Sequence, residues 1–241
     1  GPESNWELAF LNPFIFYHEV QLNGPVTGNT FGSVDFALYP FKNFSLFGEF
    51  LIDDIQLEKS IPADLEPNEL GFILGIQITD PFKMSGTHFI AEYTRVANRT
   101  YNSFNPWEKF LHRQEPIGHF LGNDFDHWDV NINQWLYPGL QISIGFERIR
   151  RGEGRIQKEF DRPWLNFTVE EGYSEPFPTG VVEKTNVAKF EIIYHPWANL
   201  RVNFAGKFRD VKNVENALGL NNSEFDFVLG LWYEGDLRFS F

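Results

Sequence analysis

Neighbouring carboxylates are the first groups in this sequence that could do chemistry. Asp53 and Asp54 are adjacent, and glycoside hydrolases place two carboxylates roughly 5 to 10 Å apart across the scissile bond. Adjacent side chains of a β-strand point to opposite faces, so Asp53 and Asp54 do not form such a pair. Because acids at the ends of strands are usually only solvated, the sequence predicts no catalytic residue and a protein that is not an enzyme.

A second acidic segment, GNDFDHWD at residues 122–129, offers oxygen ligands of the kind that bind calcium. It contains Asp124, Asp126, His127 and Asp129, but it lacks the 12-residue spacing and the closing glutamate of an EF-hand. A turn rich in aspartate and asparagine that leads into a strand fits the segment better, so no metal is predicted. The six histidines of the chain show no catalytic spacing and its glycines are typical of turns, so no cofactor is predicted either.

Cations and aromatic rings gather in two long segments without periodicity, residues 97–126 and 151–185. Aromatic faces can stack on sugar rings, and cations can pair with an acidic polysaccharide. The candidate glycan-binding residues are Arg99, Tyr101, Trp107, Lys109, His112, Arg113, His119, Arg155, Lys158, Arg162 and Trp164. The alternative is that both segments fold inward as a plug, with their aromatic side chains serving as packing.

The elements that would position these groups are β-strands, because apolar and polar residues alternate along most of the chain. In residues 70–79 the even positions are all leucine, isoleucine or phenylalanine. The same pattern predicts strands within residues 33–39, 45–53, 70–79, 89–95, 128–133, 140–147, 187–194, 200–209 and 225–241. With an opening strand somewhere in residues 6–21, the total is about ten.

The polar positions of these strands share one face, which we predict to line a lumen. This face carries both signs of charge, which suits a water-filled pore as well as a salt-bridged plug. The predicted lumen-lining residues are Asp35, Glu49, Glu92, Asp129, Asn131, Glu147, Lys189, Glu191, Arg201, Lys207 and Arg209. The acids precede the bases along the chain, so we expect an acidic wall to face a basic one.

The connections between the strands alternate between short and long. The short ones are marked by proline, as in YPG and HPWAN, whereas residues 59–68, 97–126, 151–185 and 211–222 form long loops. This asymmetry predicts an all-β fold: an antiparallel up-and-down transmembrane β-barrel of a bacterial outer membrane, with short periplasmic turns and long extracellular loops. A soluble β-sandwich is the alternative, but the loops hold more aromatic residues than its interior could accommodate.

Composition restricts the partners and the compartment. A net charge of −13 argues against nucleic acid, whose phosphates need a basic surface. The chain has no cysteine, no apolar run long enough for a transmembrane helix and no signal-peptide pattern. We expect residues 1–4 to be a tag scar or the start of a fragment, and residues 5–241 to be the barrel or the carboxy-terminal part of a larger one.

Several segments resemble the Wzi-like family of outer-membrane capsule-assembly proteins. They are LNPF at residues 11–14, YPFKNFSLFGEFLIDDI at residues 39–55, AEYTRV at residues 91–96, PIGHFLGND at residues 116–124 and ERIRRGEG after the seventh predicted strand. The resemblance implies a barrel of about eighteen strands that holds capsular or related polysaccharide at the cell surface without catalysis. About ten strands are too few for that barrel. The chain is therefore expected either to be the carboxy-terminal part of a larger barrel, with further strands or subunits outside it, or to close as a smaller barrel by itself. A porin-like channel for small solutes is the alternative function.

The last residues, FDFVLGLWYEGDLRFSF, keep the alternation up to the terminal phenylalanine. Outer-membrane barrels commonly end on an aromatic residue preceded by alternating apolar residues, and the barrel-assembly machinery recognises that pattern. Tyr233, Leu237, Phe239 and Phe241 match it. We therefore predict one long closing strand that also carries an assembly signal, with the assembly machinery and outer-membrane lipid as partners.

Overall fold

The computed structural model describes residues 28–235, and nine long antiparallel strands make up its main sheet. The strands are β1 (Gly32–Phe41), β2 (Phe44–Asp54), β3 (Glu69–Thr79), β4 (Thr87–Val96), β5 (Leu111–His112), β6 (Glu115–Pro116), β7 (Phe125–Tyr137), β8 (Leu140–Arg151), β9 (Glu183–Trp197), β10 (Leu200–Lys212) and β11 (Asn221–Tyr233). The short strands β5 and β6 pair only with each other. Helical structure among these residues is confined to 3-10 turns of three or four residues. No helix in residues 28–235 has the length and hydropathy needed to cross a membrane.

Strand order in the main sheet follows chain order, β1-β2-β3-β4-β7-β8-β9-β10-β11. Each strand is antiparallel to its neighbours, which is the up-and-down arrangement predicted from the alternating pattern. A strand is present in each of the nine segments predicted after residue 28. The closing strand, predicted over residues 225–241, ends at Tyr233. The prediction that it continues without a break is therefore wrong at residues 234–235, and residues 236–241 lie outside the described part of the chain. The opening strand predicted in residues 6–21 lies outside the described residues.

Short turns and long loops occupy opposite ends of the sheet, as the sequence predicts. The turns are residues 42–43, 80–86, 138–139 and 198–199. We call the long connections the first loop (residues 55–68), the second loop (97–124), the third loop (152–182) and the fourth loop (213–220). The second loop ends two residues before the predicted boundary, because Phe125 and Asp126 already pair with β4 and β8.

One face of the sheet, the apolar face, carries large apolar side chains along almost the full length of its strands. Register partners on this face include Ile132, Ile144 and Phe190 on β7, β8 and β9. Many of these side chains are exposed, for example Ile144 at 59% and Phe227 at 68%. A continuous exposed apolar surface of this kind is what lipid contact requires, since water would penalise it.

The opposite face, the polar face, carries a buried apolar cluster at its loop end. There Val96 and Phe125 are buried and pack with Leu51, while Val187 and Val211 on the same face are also buried. Tyr101, Phe110, Leu111 and Leu121 of the second loop and Ile156 of the third loop contact this cluster. The second loop therefore folds back over the polar face instead of extending away from the sheet.

Candidate functional site

The long loops form one packed body, which we call the loop cap and define as the second, third and fourth loops. Asp124, which is fully buried at the end of the second loop, joins it to the third. Its carboxylate accepts hydrogen bonds from the backbone N–H of Gly154 at 2.8 Å and of Thr179 at 3.0 Å, and from the Thr179 hydroxyl. Its backbone carbonyl accepts a bond from the N–H of Gly152 at 2.8 Å.

The RGEG segment of the third loop can pass beside this carboxylate because two of its residues are glycines. A Cβ atom at Gly152 would collide with the Asp124 carboxylate, and a Cβ atom at Gly154 would collide with Asn98. Glu153 between them binds the far side of the same loop, because its carboxylate accepts a hydrogen bond from the Val181 N–H at 2.9 Å. The spacing of the two glycines therefore allows the two loops to approach closely.

Arg99 forms a second link between the second and third loops. Its side chain is only 2% exposed, and its guanidinium lies 2.7 Å from Glu175 and 3.0 Å from Asp161. The guanidinium also lies over the Trp164 ring at 4.9 Å. Burial alone would lower the pKa of Arg99, but Glu175 and Asp161 raise it. The positive charge is therefore held in place by partners 62 and 76 residues away.

The fourth loop is attached through Asn216 and Arg155. The Arg155 guanidinium donates a hydrogen bond to the Asn216 side-chain oxygen at 2.7 Å. The Asn216 amide in turn donates to the backbone carbonyls of Arg151 and Val181 at 3.0 and 2.7 Å. Burial lowers the pKa of Arg155, and the nearby Arg151 lowers it further. Asn216 thus joins the fourth loop to the third, as Asp124 and Arg99 join the third loop to the second.

His119 belongs to the packing of the second loop. Its ring stacks on Phe120 and lies 4.5 Å from the ring of Phe125, and its Nδ1 atom accepts a hydrogen bond from the Leu121 N–H at 3.1 Å. Burial lowers the pKa of His119 to about 4, with a further contribution from His127. The ring is thus neutral at physiological pH and supplies no charge to a ligand.

The structure divides the predicted glycan-binding residues by exposure. The side chains of Arg99, Tyr101 and Trp164 are buried in the loop cap, where they hold the loops together. Half-buried side chains belong to Lys109, His119 and Arg155, whereas exposed ones belong to Trp107, His112, Arg113, Lys158 and Arg162. The three buried side chains therefore pack inside the loop cap, as in the alternative in which the loops fold inward. For the five exposed side chains, contact with a glycan stays a prediction.

Two of the candidate cations, the exposed Arg162 and the half-buried Lys109, have defined neighbours. The Arg162 guanidinium lies 4.5 Å from the centre of the Phe104 ring, which is itself 68% exposed. Lys109 donates a hydrogen bond to the backbone carbonyl of Lys158, which holds the second and third loops together at the surface. These contacts restrict the side chains before any ligand arrives, which lowers the entropic cost of binding.

A cleft of about 560 Å³ opens between the second and third loops. Arg155 and Lys158 line it together with the carboxylates of Glu153, Glu159 and Asp161. Cations of this kind bind carboxylates, and acids accept hydrogen bonds from hydroxyl groups. The lining therefore suits a ligand that carries both groups, as an acidic sugar does.

A second cleft of about 460 Å³ lies on the other side of Asn102 and is acidic. Its lining includes Asp54, Glu66, Glu108 and the Phe104 ring. Burial, together with the negative charge of Asp54, raises the pKa of Glu66 to about 7. Across residues 28–235, no group of three or more histidine, aspartate and glutamate side chains is arranged to hold a metal ion.

The candidate metal ligands of the segment GNDFDHWD are dispersed. Asp124 serves the loop cap, Asp126 pairs with Arg150 on the apolar face, and Asp129 on the polar face accepts a hydrogen bond from the Asn131 amide at 2.8 Å. The alternation of β7 sends Asp126 and Asp129 to opposite faces, since they are three residues apart.

The predicted lumen-lining residues all lie on the polar face, as the register of the strands demonstrates. Glu92 pairs with Asp129, and Asp129 pairs with Glu147, so three carboxylates are neighbours across three strands. Like charges directly opposite one another repel. Among the described residues, only Glu147 of these three forms an ion pair, with Lys189.

The bases of the polar face lie on β9 and β10, between acids on both sides. Lys189 on β9 contacts Glu147 on β8, whereas Lys207 and Arg209 on β10 contact Asp226 and Glu224 on β11 at 3.6 and 3.3 Å. Glu191 accepts a hydrogen bond from the Asn203 amide at 2.8 Å. Asp35 and Glu49 on β1 and β2 are register partners, and Arg201 lies over the Trp232 ring at 5.2 Å. The basic strands are thus flanked and partly neutralised by acids in the same sheet.

Part of the predicted assembly signal is visible. Tyr233 is the last residue of β11 and is 72% exposed on the apolar face. The strand ends there, although the Glu234 N–H still donates a hydrogen bond to the Asn199 carbonyl at 3.0 Å. Leu237, Phe239 and Phe241 lie outside the described residues, so the signal stays a prediction.

Comparison with known proteins gives a family and several similar structures. The family described as capsule assembly protein Wzi matches residues 1–224, and no curated protein matches the chain. A crystal structure of a variant of OccD1 (OprD) is 16% identical, with a TM-score of 0.40, over 83% of this chain and 50% of that one. The crystal structure of the outer membrane protein OprD from Pseudomonas aeruginosa is 13% identical, with a TM-score of 0.41, over 84% and 50%.

The chain spans about half the length of these solved structures. The family match, in contrast, extends over most of this chain. The protein therefore belongs to the family of capsule assembly protein Wzi and is an integral β-barrel protein of the bacterial outer membrane.

Proposed function

We propose that this protein binds an acidic surface polysaccharide on its loop cap and thereby holds the polysaccharide at the cell surface, without catalysing a reaction. The observation that carries the proposal is that a rigidly cross-linked cap presents exposed cations beside exposed rings, as in the pair Arg162 and Phe104. Family membership agrees with a role in capsule assembly. The long loops lie at the end of the barrel that faces the cell exterior.

The mixed cleft supports a sugar acid as the repeating ligand. Lys158 and Arg155 can pair with its carboxylate, while Glu153 and Glu159 can accept hydrogen bonds from its hydroxyls. Trp107 is 53% exposed on the second loop and offers a flat surface for a sugar ring. A polymer binds several such subsites at once, so weak individual contacts add up to firm attachment.

Replacing the exposed cations and rings is expected to weaken binding without unfolding the protein. Trp107→Ala and Arg162→Ala should each weaken binding of a uronic-acid polysaccharide about 5- to 10-fold, since each removes one stacking or ionic contact. Titration of the labelled polysaccharide into the protein in neutral detergent measures the change.

The turn end of the sheet provides matched controls. Trp197 is 66% exposed there, and Lys42 lies in the first turn, so Trp197→Ala and Lys42→Ala should leave the affinity unchanged. A neutral dextran should bind weakly to every variant. The proposal would be disproved if the control variants lost as much affinity as Trp107→Ala and Arg162→Ala, or if the protein had no affinity for any acidic polysaccharide.

A diffusion channel is the second candidate, and it is favoured by two polar-face carboxylates, Glu92 and Asp129, that form no ion pair within residues 28–235. If that face lines a lumen, Glu92 and Asp129 attract cations there. The double variant Glu92→Gln, Asp129→Asn should lower the cation-over-anion permeability ratio at least about twofold in planar bilayers. Glu58→Gln, in the first loop, is the control, and a protein that carries no measurable current would exclude the channel.

A further inference from the structure

The apolar face ends in cations where β4, β8, β9 and β10 approach the loop cap. On β8 the outward positions run Ile144, Phe146, Arg148 and Arg150, so two arginines follow the last apolar residue directly. We call the set of cations on this margin the cationic belt; its members are Arg95, Arg148, Arg150, Lys184 and Lys212. These cations occupy the same alternate positions of their strands as the apolar residues, so their side chains lie on the same face of the sheet.

The register makes the belt continuous across five strands. Arg95 pairs with Asp126, and Asp126 pairs with Arg150. Arg150 pairs with Lys184, which in turn pairs with Lys212. Neighbouring strands are about 4.8 Å apart, so the row extends over roughly 20 Å of the barrel surface.

Two cations of the belt are already oriented. Arg150 forms an ion pair with Asp126, which also accepts a hydrogen bond from the Tyr93 hydroxyl at 3.2 Å. The Arg95 guanidinium lies 3.8 Å from the centre of the Phe177 ring. Both contacts fix the position of a guanidinium group while leaving some of its N–H donors available.

Three other cations, Arg148, Lys184 and Lys212, have exposed side chains, and none forms an ion pair within residues 28–235. Asp126 and Asp210 are the acids on the same margin, so five cations face two acids there. This is an excess of positive charge in a chain whose net charge is −13. A positive margin on an acidic protein is suited to an anionic partner, because the net negative charge of the rest of the chain disfavours anions elsewhere on its surface.

The position of the belt identifies that partner as a membrane component. Tyr93 and Trp128 are register partners one position closer to the apolar band, with ring centroids 4.6 Å apart. Amphipathic aromatic rings lie at the level of lipid headgroups. The belt follows these rings toward the loops, so it lies at the headgroup level of the outer leaflet.

We propose that the cationic belt docks the phosphate-bearing headgroup of an outer-leaflet glycolipid, whose acyl chains lie on the apolar face below it. Arginine binds phosphate through parallel N–H donors, and lysine adds point charges beside it. Phe146 and Phe208 lie next to the belt toward the turn end and provide the surface for the chains. A free phosphate ion would use the cations but not that surface.

Neutralising the three exposed cations tests the proposal. Purified protein in a neutral detergent is titrated with lipid A that carries its phosphates, and binding is followed by native mass spectrometry. Each cation near an anionic lipid contributes about fivefold, so Arg148→Gln, Lys184→Gln and Lys212→Gln together should weaken binding on the order of 100-fold. Lys212→Gln alone, at a strand end, should weaken lipid A binding about fivefold. This single variant provides the test if the triple variant does not fold.

The control triple is Lys42→Gln, Lys83→Gln and Arg201→Gln, which removes the same charge at the turn end and should leave lipid A binding unchanged. Dephosphorylated lipid A should bind the unmodified protein as weakly as phosphorylated lipid A binds the neutralised variant. The proposal is overturned if both triples lose affinity equally, if removing the phosphates has no effect, or if inorganic phosphate at millimolar concentration displaces the lipid completely.

Discussion

Asp124→Asn is expected to release the third loop from the second and to make residues 152–182 about 100-fold more sensitive to limited proteolysis. Asp124 is fully buried, and three donors from Gly154 and Thr179 converge on its carboxylate. An asparagine keeps one oxygen and turns an N–H₂ group toward at least one of these donors. We estimate a loss of about 3 kcal/mol in the free energy of opening the loop cap, because bonds to a charged acceptor contribute about 1.5 to 3 kcal/mol each.

The sheet should survive this change, because its strands are held by backbone hydrogen bonds that do not involve Asp124. Far-UV circular dichroism of the detergent-solubilised variant should therefore match that of the unmodified protein. Glu170→Gln, an exposed carboxylate of the same loop, is the control and should leave the cleavage rate unchanged. If Asp124→Asn is cleaved no faster than the control, Asp124 does not hold the loops together.

An open loop cap also separates the two candidate functions. If the polar face lines a conducting lumen that the cap obstructs, Asp124→Asn should raise the single-channel current, whereas glycan binding should weaken because the cleft between the loops loses its shape. A variant that opens without any change in either property would leave the loop cap with a purely structural role.

The strands could be predicted from the sequence because their two faces meet different environments. Alternation in segments such as residues 70–79 is a local signal, and it also placed Glu92, Asp129 and Lys189 on one face. The length of each connection is equally local, so the end of the sheet that carries the long loops was predictable.

The loop cap could not be predicted, because its contacts join residues far apart in sequence and without periodicity. Arg99 and Glu175 are 76 residues apart, and nothing in either local segment indicates the other. Arg99 and Trp164 were identified as glycan-binding candidates from residue type alone, but a buried cation needs buried acids, and these were not visible in the pattern. The two glycines of RGEG were the available signal, since they mark a close approach of two chain segments.

The basic strands illustrate the same limit on the polar face. Chain order suggested an acidic wall opposite a basic one, yet Lys189, Lys207 and Arg209 lie beside acids of β8 and β11. Cross-strand neighbours follow from the register, which the alternation alone does not specify, since a shift by two residues preserves both faces.

Arg99→Met is expected to destabilise the loop cap by about 3 to 5 kcal/mol, because it removes one partner of a buried ion pair. The Glu175 side chain is only 17% exposed, so its charge would lose its main compensation and keep only the Asn98 amide at 3.3 Å and the Tyr173 hydroxyl at 3.1 Å. The Asp161 side chain is 68% exposed, so its charge loses little stabilisation when Arg99 is removed. Hydrogen exchange of residues 97–124 and 152–182 should accelerate correspondingly, while exchange in the strands stays slow.

A double variant distinguishes loss of the ion pair from loss of packing. Glu175→Gln in the Arg99→Met background should recover about 2 kcal/mol, since it removes the uncompensated charge while keeping the shape of the side chain. Arg113→Met, an exposed arginine of the same loop, should change stability by less than about 0.5 kcal/mol. An absence of recovery in the double variant would mean that Arg99 stabilises the cap through its contact with Trp164 and not through charge.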